Sequence, residues 1–237
     1  MKDKLEKSII VLVLCLVIYI VMNCKVLEFF ESYPTIYFIN LERSKNRWKK
    51  LLNQLDELKI KNYNRFNGID SRTYQLNSME KHIFRKTDFD ISSGVTGCSL
   101  SHLYVWKTII DKNIKECIIC EDDVIFNKTF SKEWSNISKI KTNYDLIFLY
   151  NTKWKNRGNA IDNEIIPYNK VKWYGCGSVS YYINNRAASI LYNIALTKGI
   201  HRAIDWFIYE QLHIIKIGVV KYRLVNHSDN QTTIFGR

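Results

Sequence analysis

Short apolar runs alternate with longer amphipathic segments along most of the chain. Runs rich in β-branched and aromatic residues predict strands, whereas apolar residues that recur every three or four positions predict helices. The predicted strands cover residues 35–40, 62–70, 117–120, 145–150, 179–183 and 218–225. The predicted helices begin after Ser44 and near Gly97, and further helices cover residues 130–140, 186–196 (capped by Asn184 or Asn185) and 203–213.

Strands that alternate with single helices predict an α/β fold, in which a mainly parallel sheet is flanked by helices on both faces. Ligands of such folds bind at the carboxyl ends of the strands. Two segments, 71–93 and 151–170, are polar and carry no clear periodicity. The alternation therefore predicts one α/β domain from residue 34 to residue 237, with a ligand site at one edge of its sheet.

The amino-terminal pattern differs, because residues 8–24 are uncharged and almost all apolar. This length suits a short transmembrane signal anchor, and no small-residue cleavage site follows it. Three lysines precede the segment and only Lys25 follows closely, which predicts a cytosolic tail (1–7), a stem (25–33) and a lumenal domain. We expect a single-pass type II membrane protein, in the endoplasmic reticulum or Golgi if the source or its host is eukaryotic.

The formal net charge of +12 indicates an anionic partner. Nucleic acid, an anionic membrane surface and a nucleotide diphosphate all fit this charge, but the basic residues are scattered and form no nucleic-acid-binding motif. The Cys117-x-x-Cys120 pair has the spacing of half a zinc site, yet its position in an apolar run favours buried thiols. Sequons at Asn127, Asn136, Asn226 and Asn230 agree with a lumenal glycoprotein.

Three consecutive acids, Glu121, Asp122 and Asp123, end the apolar run that begins at Cys117. Adjacent carboxylates repel one another, and partial burial costs them hydration, so a cation would stabilise this strand end. Mg²⁺ or Mn²⁺ that holds a substrate diphosphate suits carboxylate ligands. A solvated turn whose acids cap the next helix is the alternative interpretation.

Four segments in one order resemble glycosyltransferase family 25, which contains bacterial lipooligosaccharide and animal procollagen galactosyltransferases. A fifth segment resembles the later glycine-rich strand of that family. The segments are Ile39–Arg43 with Arg47 and Trp48, Asn67–Asp70, Gly94–His102 with Trp106, Glu121–Asp123, and Gly175–Tyr182. The resemblance implies a GT-A-like fold, a UDP-sugar donor, most often UDP-galactose, a divalent metal and inversion at the anomeric carbon.

The resemblance also implies roles for individual residues. Asp123 is the first choice as metal ligand, with Glu121 and His227 completing the set, and Glu121 or Asp122 contacts the ribose or a metal-bound water. The donor-binding candidates are Asn40, Arg43, Arg47, Gly97, Ser101, His102, Glu121 and Asp122. Asp205 is the candidate general base, with Glu210 in reserve.

Each of these roles has a structural alternative. The two arginines suit a surface pair beside a helix start, His102 suits a core or capping position, His227 lies in an ordinary sequon, and Asp205 suits the first turn of a helix. We therefore expect a membrane-anchored, metal-dependent transferase that moves a hexose, with galactose favoured, from a nucleotide donor to a glycan or a hydroxylated protein side chain. The alternatives are a transferase that uses UDP-glucose or another nucleotide sugar, and an inactive lectin-like or assembly protein of the secretory pathway.

Overall fold

A computed structural model of the chain describes residues 10–20, 33–85, 93–152, 164–168 and 177–228. The chain divides into two compact units, Met1–Tyr33 and Pro34–Arg237. In the first unit residues 10–20 are helical and their apolar side chains are exposed. Across the described ranges we find no helix with both the length and the apolar character needed to cross a membrane. The remaining residues of the predicted anchor, 8–9 and 21–24, lie outside the described residues.

The second unit is built on a seven-stranded sheet. The strands, in sheet order, are β2 (Tyr63–Asn67), β1 (Ile36–Asn40), β3 (Glu116–Glu121), β7 (Ser180–Asn184), β5 (Leu146–Phe148), β8 (Ile217–Val220) and β6 (Ile165–Pro167). All of them run in one direction except β7 and β6, which are antiparallel to their neighbours. A two-stranded antiparallel sheet joins β4 (Val124–Phe126) to β9 (Val225–His227). The prediction of an α/β fold with a mainly parallel sheet is thus confirmed.

Helices cover both faces of the sheet. They are α1 (Lys45–Glu57), α2 (Ser78–Ile83), α3 (Ser93–Asp111), α4 (Phe130–Ile140), α5 (Asn185–Lys198) and α6 (Ile204–Tyr209). Cys117 and Ile119 of β3 belong to the core shared with α3, α5 and α6, whereas Phe38 of β1 contacts Phe126 on the other face, with ring centroids 6.0 Å apart. Because both faces of β3 are buried, its four central residues are all apolar or thiol-bearing.

Several elements differ from the sequence-based expectations. Strand β7, expected within a mainly parallel sheet, is antiparallel and lies between β3 and β5. Helix α3 begins at Ser93, four positions before Gly97, and the predicted helix 203–213 ends at Tyr209. The predicted strand 218–225 is divided into β8 and β9. Helix α2 and strand β6 formed in segments where no element was expected, and α2 is stabilised by a capping box between Asn77 and Glu80.

Cysteine burial follows the expectation, whereas the Asn127 sequon does not. Cys117 and Cys120 are buried free thiols within β3, as the apolar run indicated. Asn127 is 5% exposed; its side chain donates to the Arg223 carbonyl and accepts a hydrogen bond of 3.1 Å from Asn226. This sequon therefore lends no support to a lumenal glycoprotein, because the fold uses the Asn127 amide internally.

Candidate functional site

The three acids lie at the carboxyl end of β3, next to the carboxyl end of β1. Strands β1 and β3 are parallel, and Ile39 is in register with Glu121. This register brings Asn40 beside Asp122, and the Asn40 Nδ2 donates a 2.6 Å hydrogen bond to the Asp122 Oδ2. Two polar residues 82 positions apart in sequence thus meet because parallel strands end at the same edge of the sheet.

The negative charge of Asp122 is balanced by hydrogen-bond donors and by one positive charge. Besides the Asn40 amide, the Arg47 guanidinium of α1 donates to the Asp122 Oδ1 at 2.8 Å. Asn40 is itself fixed by a 2.9 Å hydrogen bond from the Arg65 Nε to its Oδ1. Asp122 and Arg47, both predicted to bind donor, therefore form an ion pair at the sheet edge in this structure.

Asp123 has a contrasting environment. Its Oδ1 is buried and accepts no hydrogen bond from any residue that the structure describes. Burial, with the neighbouring charge of Glu121, raises the pKa of Asp123 to about 7. A buried carboxylate oxygen without a donor is destabilised when ionised, and a cation would remove that cost.

His227 is brought next to the triplet by the small sheet. In the pairing of β4 with β9, His227 is opposite Val124, the residue that follows Asp123. The Ser228 N–H donates to the Asp123 carbonyl at 3.0 Å, and the His227 ring packs against Tyr150 with centroids 5.2 Å apart. The separate strand β9 thus places His227 near Asp123.

Glu121 faces the opposite direction, towards α3. Its Oε1 accepts a hydrogen bond from the Ser178 hydroxyl, and lies 4.0 Å from the Cys98 Sγ and 3.6 Å from the His102 Nε2. Burial opposes ionisation of Glu121, but His102 and the Ser178 hydroxyl outweigh it and hold its pKa below the ordinary value. Among the described residues, Cys98, His102 and Glu121 form the one group of three potential metal-ligating side chains whose ligand atoms all lie within 4.8 Å.

His102 is a fully buried residue of α3. Its Nδ1 lies 2.8 Å from the Tyr181 hydroxyl, which also accepts a 3.0 Å hydrogen bond from the Trp106 indole. Its Nε2 is buried, lies 3.6 Å from the Glu121 Oε1 and, among the described residues, makes no hydrogen bond. Both the core position considered for His102 and its proximity to the acids are therefore observed. The sequence analysis gave no site role to Tyr181 or Ser178, because no local pattern marks a side chain that reaches the site from the region of an antiparallel strand.

A cleft of about 120 Å³ opens beside Glu121 and Asp122. Its walls come from the ends of β1 and β2, from α1 and from the first turns of α3. The lining includes Arg43, Arg47, Asp70, Ser101, His102 and Glu121. Arg43, expected to grip the donor, pairs through its Nε with Asp70 across this cleft.

Gly97 has a packing function that the sequence analysis did not foresee. A Cβ atom at Gly97 would lie 2.6 Å from the Ile69 carbonyl oxygen, so only glycine allows this approach. Ser101, one turn later, accepts a 2.8 Å hydrogen bond from the Ile69 N–H and donates at 2.7 Å to the Gly97 carbonyl. Helix α3 begins at Ser93, so Gly97 lies within the helix and not at its start. Gly97 and Ser101 instead fix the segment that follows β2 against α3.

A second cleft, about 460 Å³ in volume, lies on the other side of the Arg47–Asp122 ion pair. Asp123 lines this second cleft together with Lys50 and Lys128. The acidic triplet thus forms part of the walls of two clefts, with Glu121 on one side and Asp123 on the other.

The two candidate bases have different positions. Asp205 is half-buried in the first turn of α6, which packs against α3, and its Oδ1 accepts a 2.9 Å hydrogen bond from the Trp206 N–H. Burial and the charge of Glu121 raise the pKa of Asp205. Glu210 is exposed and pairs with Arg202 at 3.8 Å. The structure therefore links Asp205, but not Glu210, electrostatically to the acidic cluster.

Comparison with known proteins agrees with this arrangement. The profile of Glycosyltransferase family 25 (LPS biosynthesis protein) matches residues 33–208. Procollagen galactosyltransferase 2 of Homo sapiens is 30% identical over 129 residues, which cover 50% of this chain and 21% of the human protein. Probable inactive glycosyltransferase 25 family member 3 of Rattus norvegicus is 24% identical over 186 residues, which cover 73% of this chain and 32% of the rat protein.

A structural relative is the crystal structure of a glycosyltransferase involved in the glycosylation of the major capsid of PBCV-1. The match covers 84% of this chain and 93% of that chain, with a TM-score of 0.49 and 10% sequence identity. A likeness at this level does not by itself establish a shared fold.

The sheet, its helical layers and the cleft define an α/β domain with a cleft at the carboxyl edge of its strands. Because the family profile matches most of that domain, the chain belongs to glycosyltransferase family 25. It spans about a fifth of the human relative's length and about a third of the rat relative's.

Proposed function

We propose that this chain is a metal-dependent glycosyltransferase of the GT-A type, which transfers galactose from UDP-galactose, with inversion, to a glycan or a hydroxylated protein side chain. The observation that carries the proposal is the buried Asp123 Oδ1, which has no hydrogen-bond donor and lies in a triplet of acids beside two clefts. Family membership supports sugar transfer, and a relative named for galactosyl transfer to procollagen favours galactose and a protein acceptor.

The residues present fit a hard divalent cation. Asp123 supplies an unsatisfied carboxylate oxygen on the second cleft, and His227 lies on the neighbouring strand β9. Glu121, which the sequence analysis included in this set, faces the first cleft instead. Carboxylate and imidazole ligands suit Mn²⁺, and carboxylates suit Mg²⁺. When bound, such a cation supplies charge neutralisation for the diphosphate that departs from the sugar.

The donor nucleotide is assigned to the cleft beside Glu121. This cleft lies where β1 and β2 end, the edge at which α/β folds bind nucleotides. Arg43 and Arg47 line it, and both are already held by Asp70 and Asp122. An ion pair of this kind keeps a guanidinium oriented, so its remaining N–H groups can donate to ribose or phosphate oxygens.

Asp205 is assigned as the general base. Burial and the neighbouring negative charge raise its pKa, which makes it a better proton acceptor than an ordinary aspartate. It would take the proton from the acceptor hydroxyl as that oxygen attacks the anomeric carbon.

The proposal includes a membrane anchor at residues 8–24, with the catalytic domain on the lumenal side. The uncharged run, the lysines before it, and the exposed apolar side chains of residues 10–20 support this orientation. A second candidate function is that of an inactive family member. A relative named as probably inactive matches 73% of this chain and favours that alternative.

The experiment is release of UDP by the full chain from UDP-galactose or UDP-glucose, with Mn²⁺ or with a chelator. We expect release from UDP-galactose that chelation abolishes, and a loss of about 100-fold or more in Asp123→Asn. Asp56→Asn, which removes an exposed surface charge, is the matched control and should keep full activity. Turnover of UDP-glucose alone would reassign the donor. Binding of donor without turnover under any condition, acceptors included, would favour the inactive alternative.

A further inference from the structure

Cys98, His102 and Glu121 form a compact set of soft and borderline ligands on the wall of the first cleft. A thiol, an imidazole and a carboxylate are the ligands that zinc takes in proteins. This set is separate from the predicted metal ligands Asp123 and His227, although Glu121 is shared. The two residues of α3 are four positions apart, so both side chains lie on one face of the helix.

The spacing of the ligand atoms suits a tetrahedral ion. Zinc bonds of about 2.0–2.3 Å at a tetrahedral angle place the ligand atoms about 3.3–3.8 Å apart. The His102 Nε2 and Glu121 Oε1 are 3.6 Å apart, and the Cys98 Sγ and the same oxygen are 4.0 Å apart. All three ligand atoms lie within 4.8 Å of one another, so movements of up to about 1 Å would complete three of the four positions. The cleft, which all three residues line, leaves the fourth position open.

The orphaned nitrogen of His102 gives independent support. His102 is fully buried; its Nε2 lies 3.6 Å from the Glu121 Oε1, and no described residue comes within hydrogen-bond distance of this nitrogen. A buried imidazole nitrogen in this state is costly unless a ligand uses it. Its other nitrogen, Nδ1, contacts the Tyr181 hydroxyl at 2.8 Å. Histidines that bind metals usually donate their second N–H to such an outer partner, which fixes the tautomer.

The geometry points to a zinc-binding site formed by Cys98, His102 and Glu121, with Tyr181 orienting His102. The site requires the tautomer in which Nδ1 donates to Tyr181 and Nε2 presents its lone pair. In the alternative arrangement Nε2 carries the proton and faces Glu121, and no soft cation binds. Because the three ligands line the proposed donor cleft, bound zinc would exclude the nucleotide; this consequence rests on the proposed function.

The test uses Zn²⁺, and Co²⁺ as a coloured substitute, with the purified full chain in the absence of any donor. We expect one equivalent of Co²⁺ to give the near-ultraviolet band of a cobalt–thiolate bond, and Zn²⁺ to displace it. Cys98→Ser should abolish the band, whereas Cys117→Ser, which alters a buried thiol on β3, should keep it. Tyr181→Phe should weaken Zn²⁺ binding by about 10-fold or more, because it removes the outer partner of His102.

The wild-type spectrum decides the question even if a variant fails to fold. Absence of a thiolate band in the folded wild-type chain would overturn the site, as would a band that survives in a folded Cys98→Ser variant. The band should persist in Asp123→Asn, where Mn²⁺-dependent activity is lost. A failure of the transferase proposal alone would leave the cobalt spectrum intact, so the two proposals are separately testable.

Discussion

The two ends of strand β3 carry acids in opposite electrostatic situations. At the amino end Glu116 accepts a 2.8 Å hydrogen bond from the Tyr182 hydroxyl and is paired with Lys141. Burial opposes ionisation of Glu116, but these partners outweigh it and lower its pKa. At the carboxyl end, burial and a neighbouring acid raise the pKa of Asp123 to about 7, and one of its oxygens has no donor.

Asp145, just before β5, matches Glu116 at the same edge of the sheet. It accepts hydrogen bonds from the Lys216 N–H at 2.9 Å, from Asn184 at 3.1 Å and from Arg186 at 2.7 Å. Carboxylates that accept hydrogen bonds from protein donors stabilise the fold. A carboxylate at a cleft that lacks such a donor is a candidate for binding a ligand. The contrast therefore separates structural from functional carboxylates within one sheet.

The largest effect is expected at Asp205, the second acid whose pKa is raised. Asp205→Asn should lower kcat by about 100-fold or more with little change in the donor KM, because it removes the base and leaves the donor contacts. Glu210→Gln, on the exposed surface after the same helix, is the control and should keep kcat. Steady-state kinetics with a glycosyl acceptor measures both; the reverse result would transfer the role to Glu210.

Neutralising a satisfied acid should destabilise the protein. Asp145→Asn removes the partner of Arg186 and weakens two further hydrogen bonds, which should lower the free energy of unfolding by about 2–3 kcal/mol. Its pKa is lowered by these partners, so the contribution exists above its unfolded pKa and disappears as pH falls through the folded pKa. Urea unfolding at pH 7 and at pH 3 checks this. Asp111→Asn, an exposed surface acid, should change stability by less than about 0.5 kcal/mol.

Neutralising Asp123, the acid with an unpaired oxygen, should instead raise the free energy of unfolding. The folded pKa of Asp123 is about 7 against an ordinary 3.8, so the metal-free fold loses stability as pH rises from about 4 to about 7. At pH 8 without metal, Asp123→Asn should therefore be more stable than wild type by about 1–3 kcal/mol. Thermal unfolding in the presence of a chelator measures the difference. A destabilised variant would place Asp123 with the structural acids.

The smallest expected effect is a pH dependence of cation binding. Because Asp123 must lose its proton to bind Mn²⁺, the affinity should fall about tenfold for each pH unit below about 7 and level off above that value. Titration calorimetry at pH 5.5, 6.5 and 8 would show this slope. An affinity that stays constant across this range would exclude Asp123 as the ligand that titrates.

Local pattern predicted some elements closely. Helix α4 has the predicted bounds, 130–140, because its apolar residues recur at helical spacing along one face. The acids were expected at a strand end because four consecutive buried residues precede them. Helix α2 was missed because the prediction relied on a stripe of apolar residues. This helix is stabilised by a capping box and by the buried Glu80 instead.

The sequence by itself determined the order of the elements, the acidic strand end and the family, since each depends on residues close together in the chain or on motifs in a fixed order. Only the tertiary structure decided that β7 runs antiparallel in the sheet and that Cys98 and His102 lie beside Glu121. It also decided that Arg47 and Asn40 donate hydrogen bonds to Asp122, whereas the Asp123 Oδ1 has no donor among the described residues. The physical reason is that hydrophobic periodicity is a local property of the chain. The partners of a buried charge, in contrast, depend on strand register and helix packing across many tens of residues.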